Sequence, residues 1–326
     1  MAESTFGVTG GQSASAQGSG AGLAYLRASA FPHGAVTVRG TGPDALSNLV
    51  AVLELAADGQ LRCAAATRRP LAATVRLVED ALVAGDYSER SDEGEPIAAF
   101  AWPMLLQATG LARFDGPRLE LTSRGEAVLA EPSYQALGEL WDRWLRSVSQ
   151  DELARIEAIR GQRRTGTLTA PARRRAAVAA GLAALAPGVW VEVDSLFAVL
   201  RAQAAPLAVA ASPLTRWRLY VEDPRRGSLG PAGAKAWNVL EGRYALCVLF
   251  EYAATLGVVD IAYTAAWGAR DDYHGLWGAD GRDTLSRYDG LAAVRVNELG
   301  ATILHDPGAL PALGLPVPRQ DPQYAQ

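Results

Sequence analysis

The sequence has few of the residues that build disulfide frameworks and metal centres. Its 326 residues include only two cysteines, three histidines and two methionines. Cys63 and Cys247 lie far apart, each within a run of apolar or small residues, and no C-x-x-C pair is present. This excludes a disulfide scaffold and a cysteine-based zinc site. We expect two buried free thiols.

Recognisable catalytic motifs are also missing. Lys235 is the one lysine beside thirty arginines, and its Gly-Ala-Lys-Ala setting lacks the Gly-Lys-Ser/Thr of a phosphate-binding loop. No Gly-x-Ser-x-Gly motif occurs, and the histidines show no paired spacing. Asp271–His274 is the one dense polar group, and adjacent loop carboxylates are usually solvated. The sequence therefore predicts a non-enzymatic protein with no catalytic residues, no metal and no cofactor.

A strong net charge and a long uninterrupted hydrophobic run are absent as well. Thirty-one basic and 35 acidic residues give a formal charge of −4, which excludes a uniformly basic nucleic-acid coat but allows a local patch. The longest apolar stretch, Tyr244–Trp267, is interrupted by Glu251 and Asp260, which a membrane span tolerates poorly. The N-terminus has no apolar signal region. We expect a cytoplasmic protein without a membrane partner.

The chain does have enough apolar residues for packed cores. They make up 49% of the composition, and the length suggests about two domains. The two ends of the chain have a different composition. Residues 1–40 begin with a Gly/Ser/Ala/Gln tract and predict a largely disordered arm, and residues 306–326 hold five prolines and predict an extended tail.

Residues 41–131 predict a first domain with a definite order of elements. Asp44 can cap its first helix, Pro70 can open the second, and Gly110 can end the third. Asp115-Gly116-Pro117 is a tight-turn signal between two short strands. The predicted elements are Ala45–Ala57, Gln60–Cys63, Leu71–Ala84, Ile97–Thr109, Leu111–Phe114 and Arg118–Thr122. Helix, strand, helix, helix and hairpin is the order of a winged helix.

Residues 172–305 repeat this order with insertions. The predicted elements are Ala172–Ala186, Val189–Val193, Ser195–Gln203, Ala234–Leu256, Val258–Tyr263 and Leu291–Val296. The segments that follow the chain out of the last strand of each copy, which we call the exits, also match. Leu119–Leu129 and Val294–Leu304 align over eleven positions, with Gly125 opposite Gly300. The sequence thus predicts a duplicated fold. Residues 132–171 form the connector, with a helix expected over Tyr134–Ile159.

Several stretches resemble known winged-helix modules. Leu119–Leu129 resembles the wing exit of MarR-type regulators. Ile97–Gln107, Leu285–Leu291 and Gly188–Leu196 are similar to modules of helicase-associated bacterial proteins. The resemblance covers residues 41–305. It implies a mainly α fold with small β-wings, in which two winged-helix domains are joined by a helical connector.

The resemblance implies DNA contact through the third helix of each domain, Ile97–Thr109 and Ala234–Leu256, and through Arg118 near the first wing tip. The sequence departs from this pattern, since the first of these helices offers little beyond Gln107 and Thr109 for reading base edges. Sequence-specific readout is therefore not expected.

The connector region carries the strongest local charge. From Leu153 to Ala180 there are seven arginines and one acid, Glu157, and the centre of this segment, Gly161–Pro171, is expected to be flexible. Such a segment can contact phosphates in a sequence-tolerant way. The candidate nucleic-acid contacts are Arg155, Arg160, Arg163, Arg164, Arg173, Arg174 and Arg175, with Arg118, Arg68 and Arg69 in addition. Equally, these arginines can form a solvated face or pair with the acidic segment Glu79–Glu95.

Three functions follow from these patterns. The leading hypothesis is a non-enzymatic accessory protein of a nucleic-acid-associated complex that contacts DNA phosphates through the connector and has a protein partner or forms a homo-oligomer. The second is a protein–protein adaptor or oligomerisation module that exposes the apolar faces of its third helices. The third is a ligand-responsive regulator, whose effector pocket would be lined by Trp217, Tyr220, Trp267 and Trp277.

Overall fold

A computed structural model describes residues 36–312 apart from 88–95, Arg164, Ala232, Trp277 and Asp280. The chain is mainly helical with small antiparallel sheets, as the fold class predicted. Among the residues that the structure describes, no helix combines the length and apolarity that a membrane crossing requires.

The first half follows the predicted order of elements, with shifted ends. The helices are α1 (Gly42–Ala57), α2 (Ala72–Ala81), α3 (Ala98–Thr109) and α4 (Ser123–Ala130), and the hairpin strands are β2 (Ala112–Asp115) and β3 (Arg118–Leu121). Thr41 takes the N-cap position of α1, so Asp44 lies in the first turn instead of capping it. Gly110 ends α3 in the left-handed conformation, as predicted. The predicted strand at Gln60–Cys63 is reduced to bridges from Arg62 and Cys63.

The connector differs most from its prediction. One long helix was expected over Tyr134–Ile159, and the structure has several short elements there. Helix α5 (Tyr134–Arg146) is followed by a 3-10 turn at Glu152–Arg155 and a two-residue strand, β4 (Ile159–Arg160). The chain leaves the helix at Ser147, and the carbonyls of Trp144 and Ser147 accept hydrogen bonds from the Arg175 guanidinium. A partner from a distant helix thus satisfies the C-terminal end of α5, which local periodicity could not indicate.

The second half contains the remaining elements. The helices are α6 (Pro171–Ala183), α7 (Val193–Ala202), α8 (Pro213–Arg216), α9 (residues 234–253) and α10 (Glu298–His305), and the strands are β5 (Trp190–Glu192), β6 (Tyr220–Val221), β7 (Val259–Tyr263) and β8 (Leu291–Val296). In α9, the α-helical pieces Ala234–Trp237 and Arg243–Cys247 alternate with π-helical turns at Asn238–Gly242 and Val248–Ala253. From residue 239 onward every side chain of α9 is buried, so this helix is the centre of the molecule.

A strand from the predicted disordered arm completes the main sheet. Strand β1 (Thr37–Arg39) pairs antiparallel with β7, in the strand order β1-β7-β8-β5. Thr41 fixes this edge, since its hydroxyl donates to the Val259 carbonyl at 2.7 Å. The prediction of disorder over residues 1–40 therefore fails for residues 37–39, and residues 1–35 lie outside the described part.

The start of the C-terminal tail does not form the extended arm that was expected. Pro307–Ala312 forms a 3-10 turn, and Leu310 is buried against α5 beside Gly138. Residues 313–326 are outside the described part of the chain.

The aligned exits of the two halves have the same local geometry. Each strand is followed by a polar N-cap and a short helix, and the caps Thr122 and Asn297 accept hydrogen bonds from the amides of Gly125 and Gly300. A Cβ at either glycine would overlap a backbone carbonyl oxygen, that of Leu111 or of Val258. The repeated glycine thus reflects a repeated close approach of a helix to the chain entering the hairpin.

The two third helices lie inside the protein. No side chain of α3 is exposed, and α9 is buried along nearly its whole length. Phe250 of α9 stacks on Tyr87, with 5.8 Å between ring centroids. The helices that the resemblance assigned to the DNA major groove are therefore covered by the same chain. The same burial removes the exposed apolar faces on which the adaptor hypothesis depended.

Candidate functional site

Arg155 is not available to a phosphate, contrary to its prediction as a nucleic-acid contact. Its guanidinium lies between the two halves, paired with Glu251 of α9 at 3.0 Å and stacked 3.4 Å from the ring centroid of Phe100 in α3. The side chains of Arg155 and Glu251 are 3% and 0% exposed. Tyr288 donates a further hydrogen bond to Glu251. This arginine neutralises a buried carboxylate, as the interior requires.

Arg174 and Arg175 of α6 were also predicted as nucleic-acid contacts, and they too are buried and unavailable to a phosphate. Arg175 is fully buried, pairs with Glu152 at 2.6 Å and donates to backbone carbonyls at the end of α5. Arg174 pairs with Asp151 at 2.6 Å and lies over the ring of Tyr244. Both arginines hold the connector against α6 and α9. Their partners come from the connector itself, not from the acidic segment Glu79–Glu95, of which residues 88–95 lie outside the described part.

Arginines from two separate segments meet at one groove, where Arg160 and Arg163 are exposed and Arg69 is half-buried. Arg69, from the turn before α2, and Arg160 and Arg163, from the connector, line a depression of about 750 Å³. The other lining residues are Thr67, Ala154, Glu157, Ile159, Gly161, Gln162 and Tyr220. We call this depression the arginine groove. Arg68 adjoins its rim through Thr67 and Arg69.

The remaining predicted contacts lie elsewhere. Arg173 is exposed on α6 and Arg118 is exposed on β3, and neither lines the groove. Arg118 pairs with Arg62 across neighbouring strands, which places two like charges side by side at the surface. Arg164 is not among the described residues.

Hydrogen bonds build the floor of the arginine groove. The Gln162 side-chain amide donates to the carbonyls of Leu153 and Ile159, at 3.2 and 2.6 Å, and closes the connector into a compact loop. Strand β4 then pairs with β6, with Arg160 directly opposite Tyr220. Gly161 adopts a φ of +85°, and a Cβ there would overlap the carbonyl oxygen of Arg218. This position accepts only glycine.

The connector is held beyond the groove as well, where flexibility was expected over Gly161–Pro171. Thr169 donates to the Ala208 carbonyl at 2.6 Å, and Leu168 bridges to Ala210. These bonds anchor the segment to the chain that precedes α8.

Two strained backbone positions flank the arginine groove. Arg68 and Glu222 have φ values of +57° and +55°, and they are the non-glycine residues with positive φ in the described chain. Arg68 precedes Arg69, and Glu222 follows β6, which carries Tyr220. A left-handed conformation is costly for such residues and is found disproportionately at functional sites.

The described residues leave the positive charge of the groove without carboxylate partners. Within the described residues, no carboxylate oxygen lies within 4.0 Å of the guanidinium nitrogens of Arg68, Arg69, Arg160 or Arg163. Glu157 is the one acidic residue among the lining residues. Some exposed arginines elsewhere are paired, as Arg146 is with Asp142, whereas Arg118 and Arg173 have no carboxylate partner among the described residues. The groove therefore presents a surplus of positive charge to solvent.

Of the four residues predicted to line an aromatic effector pocket, the structure describes Trp217, Tyr220 and Trp267. Trp217 and Trp267 are 56% and 73% exposed, Tyr220 lines the arginine groove, and Trp277 is outside the described residues. Trp217 and Trp267 therefore do not line the arginine groove together with Tyr220.

Asp271 and Asp272, from the polar group Asp271–His274, line a smaller cavity of about 390 Å³. Burial alone would raise the pKa of Asp272, but the hydrogen bonds and charges of Arg243 and Arg270 outweigh it and lower that pKa. The Asp272 carboxylate is paired with the guanidinium groups of Arg243 and Arg270, and the described residues hold no cluster of metal-ligating side chains. Both cysteines are buried and free, as predicted.

The sequence analysis did not identify Gln162 and assigned Tyr220 to a different site. The Gly161-Gln162 pair beside arginines was a weak signal, because its role depends on pairing between β4 and β6. Comparison with protein-family models, curated proteins and solved structures found no match.

Proposed function

We propose that this protein is a non-enzymatic nucleic-acid-binding protein that holds the phosphate backbone in the arginine groove. The observation that carries the proposal is the meeting of Arg69, Arg160 and Arg163 in one concave site where no described residue provides a carboxylate partner. Guanidinium groups bind phosphate oxygens through charge-assisted, often bidentate hydrogen bonds. A protein with a net charge of −4 that keeps such a local surplus has a site suited to a polyanion.

The proposal includes a fold of two winged-helix domains, supported by the repeated order of helices and hairpins. It assigns those domains a scaffold role, because α3 and α9 are buried and cannot enter a major groove. Binding is therefore sequence-tolerant, with contacts to phosphates and not to base edges. The arginine groove replaces the wider Arg155–Arg175 surface that the sequence suggested.

Fluorescence anisotropy with labelled oligonucleotides tests this function. The groove variant is Arg160→Ala with Arg163→Ala, since both side chains are exposed and make no side-chain contact that the described structure records. Arg69 is left intact, because it donates to the Ala154 carbonyl at 3.0 Å and its loss could disturb the fold. The matched control is Arg113→Ala with Arg146→Ala, which removes the same charge from exposed arginines paired with Glu120 and Asp142.

We expect the wild type and the control variant to bind at low salt with similar affinity, and the groove variant to bind at least tenfold more weakly. Equal weakening in the two variants would show that only net charge matters. No binding by the wild type at low salt would refute the proposed function.

A further inference from the structure

We propose that the arginine groove takes single-stranded nucleic acid, with an unpaired base stacked on the ring of Tyr220 while Arg160 and Arg163 hold the flanking phosphates. This inference rests on the proposed function and narrows it to a class of ligand. It also gives a role to an aromatic side chain that phosphate binding alone leaves unused.

Tyr220 occupies a fixed position among the arginines. It lies directly opposite Arg160 in the β4–β6 ladder, and side chains paired in this way stand on the same face about 5 Å apart. The edge of its ring lies over Gly161, with Cε1 only 3.4 Å from where a Cβ would be. The glycine thus leaves room for the ring beside the connector backbone.

The protein itself does not use the polar and aromatic surfaces of Tyr220. In the described chain its hydroxyl makes no hydrogen bond and its ring has no aromatic or cation–π partner. By contrast, Tyr244 and Tyr288 donate to the buried carboxylates Glu152 and Glu251. A half-buried tyrosine that lines a groove without such a partner is a suitable platform for a base.

The shape of the site favours an unpaired strand over a duplex. Bases in a duplex are stacked inside it, and bringing one to Tyr220 would require flipping it out at a cost of a few kcal/mol. A duplex is instead read by a helix or ribbon inserted into its groove, and α3 and α9 are buried. An unpaired strand can place its phosphates on arginines and its bases in the depression at no such cost.

The test compares three ligands of equal length: oligo-dT, a duplex, and an abasic strand that keeps the phosphates but lacks bases. Anisotropy is measured with the wild type, Tyr220→Ala, Tyr220→Phe and the groove variant Arg160→Ala/Arg163→Ala. Trp267→Ala is the control, because it removes a well-exposed aromatic side chain outside the groove.

We expect oligo-dT to bind more tightly than the duplex or the abasic strand. Tyr220→Ala should weaken oligo-dT binding by about 5- to 150-fold, as loss of one base–aromatic stack predicts, and leave abasic-strand binding nearly unchanged. Tyr220→Phe and Trp267→Ala should bind like the wild type, and the groove variant should lose affinity for all three ligands.

The inference is overturned if the duplex binds as tightly as oligo-dT, or if Tyr220→Ala leaves oligo-dT binding unchanged. In either case, weaker binding by the groove variant would keep the proposed function intact. Absence of salt-sensitive binding to any of the three ligands would overturn both.

Discussion

Replacement of Arg155 by alanine tests whether this residue holds the two halves together. The change removes a guanidinium that is 3% exposed and leaves the fully buried Glu251 carboxylate with Tyr288 as its remaining hydrogen-bond donor. Removing one partner of a buried ion pair costs about 3–5 kcal/mol, because the other charge stays in a medium of low polarity. The stacking on Phe100 is lost as well. Since total stabilities are about 5–15 kcal/mol, the variant should be severely destabilised.

Urea unfolding followed by tryptophan fluorescence measures this loss, with the double variant Arg155→Met/Glu251→Met for comparison. The double variant removes both charges and keeps apolar volume, so it should be more stable than Arg155→Ala. Part of the loss should persist, because the Tyr288 hydroxyl loses its acceptor at a cost of about 1–3 kcal/mol. A loss below about 1 kcal/mol in Arg155→Ala, typical of a surface arginine, would refute the assignment of a structural role.

Three further predictions follow from the packing. Gly300→Ala should destabilise the protein by about 1–3 kcal/mol in urea unfolding, because the added Cβ would overlap the Val258 carbonyl oxygen. Alanine favours helices, so a stabilised variant would contradict this reasoning. Burial raises the pKa of the Cys63 thiol to about 11, so a disulfide reagent at pH 8 should label this thiol in urea and leave it unmodified in the native protein. Two neighbouring arginines lower the pKa of Asp272 below its usual value of 3.8. The stabilising contribution of the ionised Asp272 is therefore complete above pH 3.8 and is lost as the pH falls through the lower folded-state pKa. In denaturant titrations below pH 3.8, the unfolding free energy of the wild type should fall more steeply than that of Asp272→Asn.

Local signals predicted much of the chain. The Asp115-Gly116-Pro117 turn, the Gly110 helix end and the shared glycine of the two exits are set by backbone conformation and by close approach to a neighbouring carbonyl. A tetrapeptide or an eleven-residue alignment is enough to reveal such constraints.

The burial of three arginines could not be predicted in this way, because their partners are remote. Arg155 pairs with a residue 96 positions away, and its neighbours in sequence suggest only a basic segment. One signal was present in the sequence: Glu241, Arg243 and Glu251 lie within the most apolar part of a long helix. Buried charges require partners of opposite sign, so this pattern predicts that some arginines are internal, though not which ones.

The arginines of the candidate site were predicted from the sequence, but the position of Tyr220 was not. Arg69, Arg160 and Arg163 were identified from charge alone. Arg69 meets the connector through its hydrogen bond to the Ala154 carbonyl, and Tyr220 is placed by the pairing of β4 with β6, two strands of two residues each. Strands this short leave no periodic pattern in a sequence. Tyr220 was therefore assigned to a different pocket.

The salt dependence of single-strand binding tests the central claim most directly. Each phosphate contact contributes about 0.7 to the slope of log K against log salt for a single strand, so loss of Arg160 and Arg163 should make the slope shallower by about 1.4. The control variant Arg113→Ala/Arg146→Ala should keep the wild-type slope. A wild-type slope in the groove variant would contradict the assignment of phosphate binding to the arginine groove.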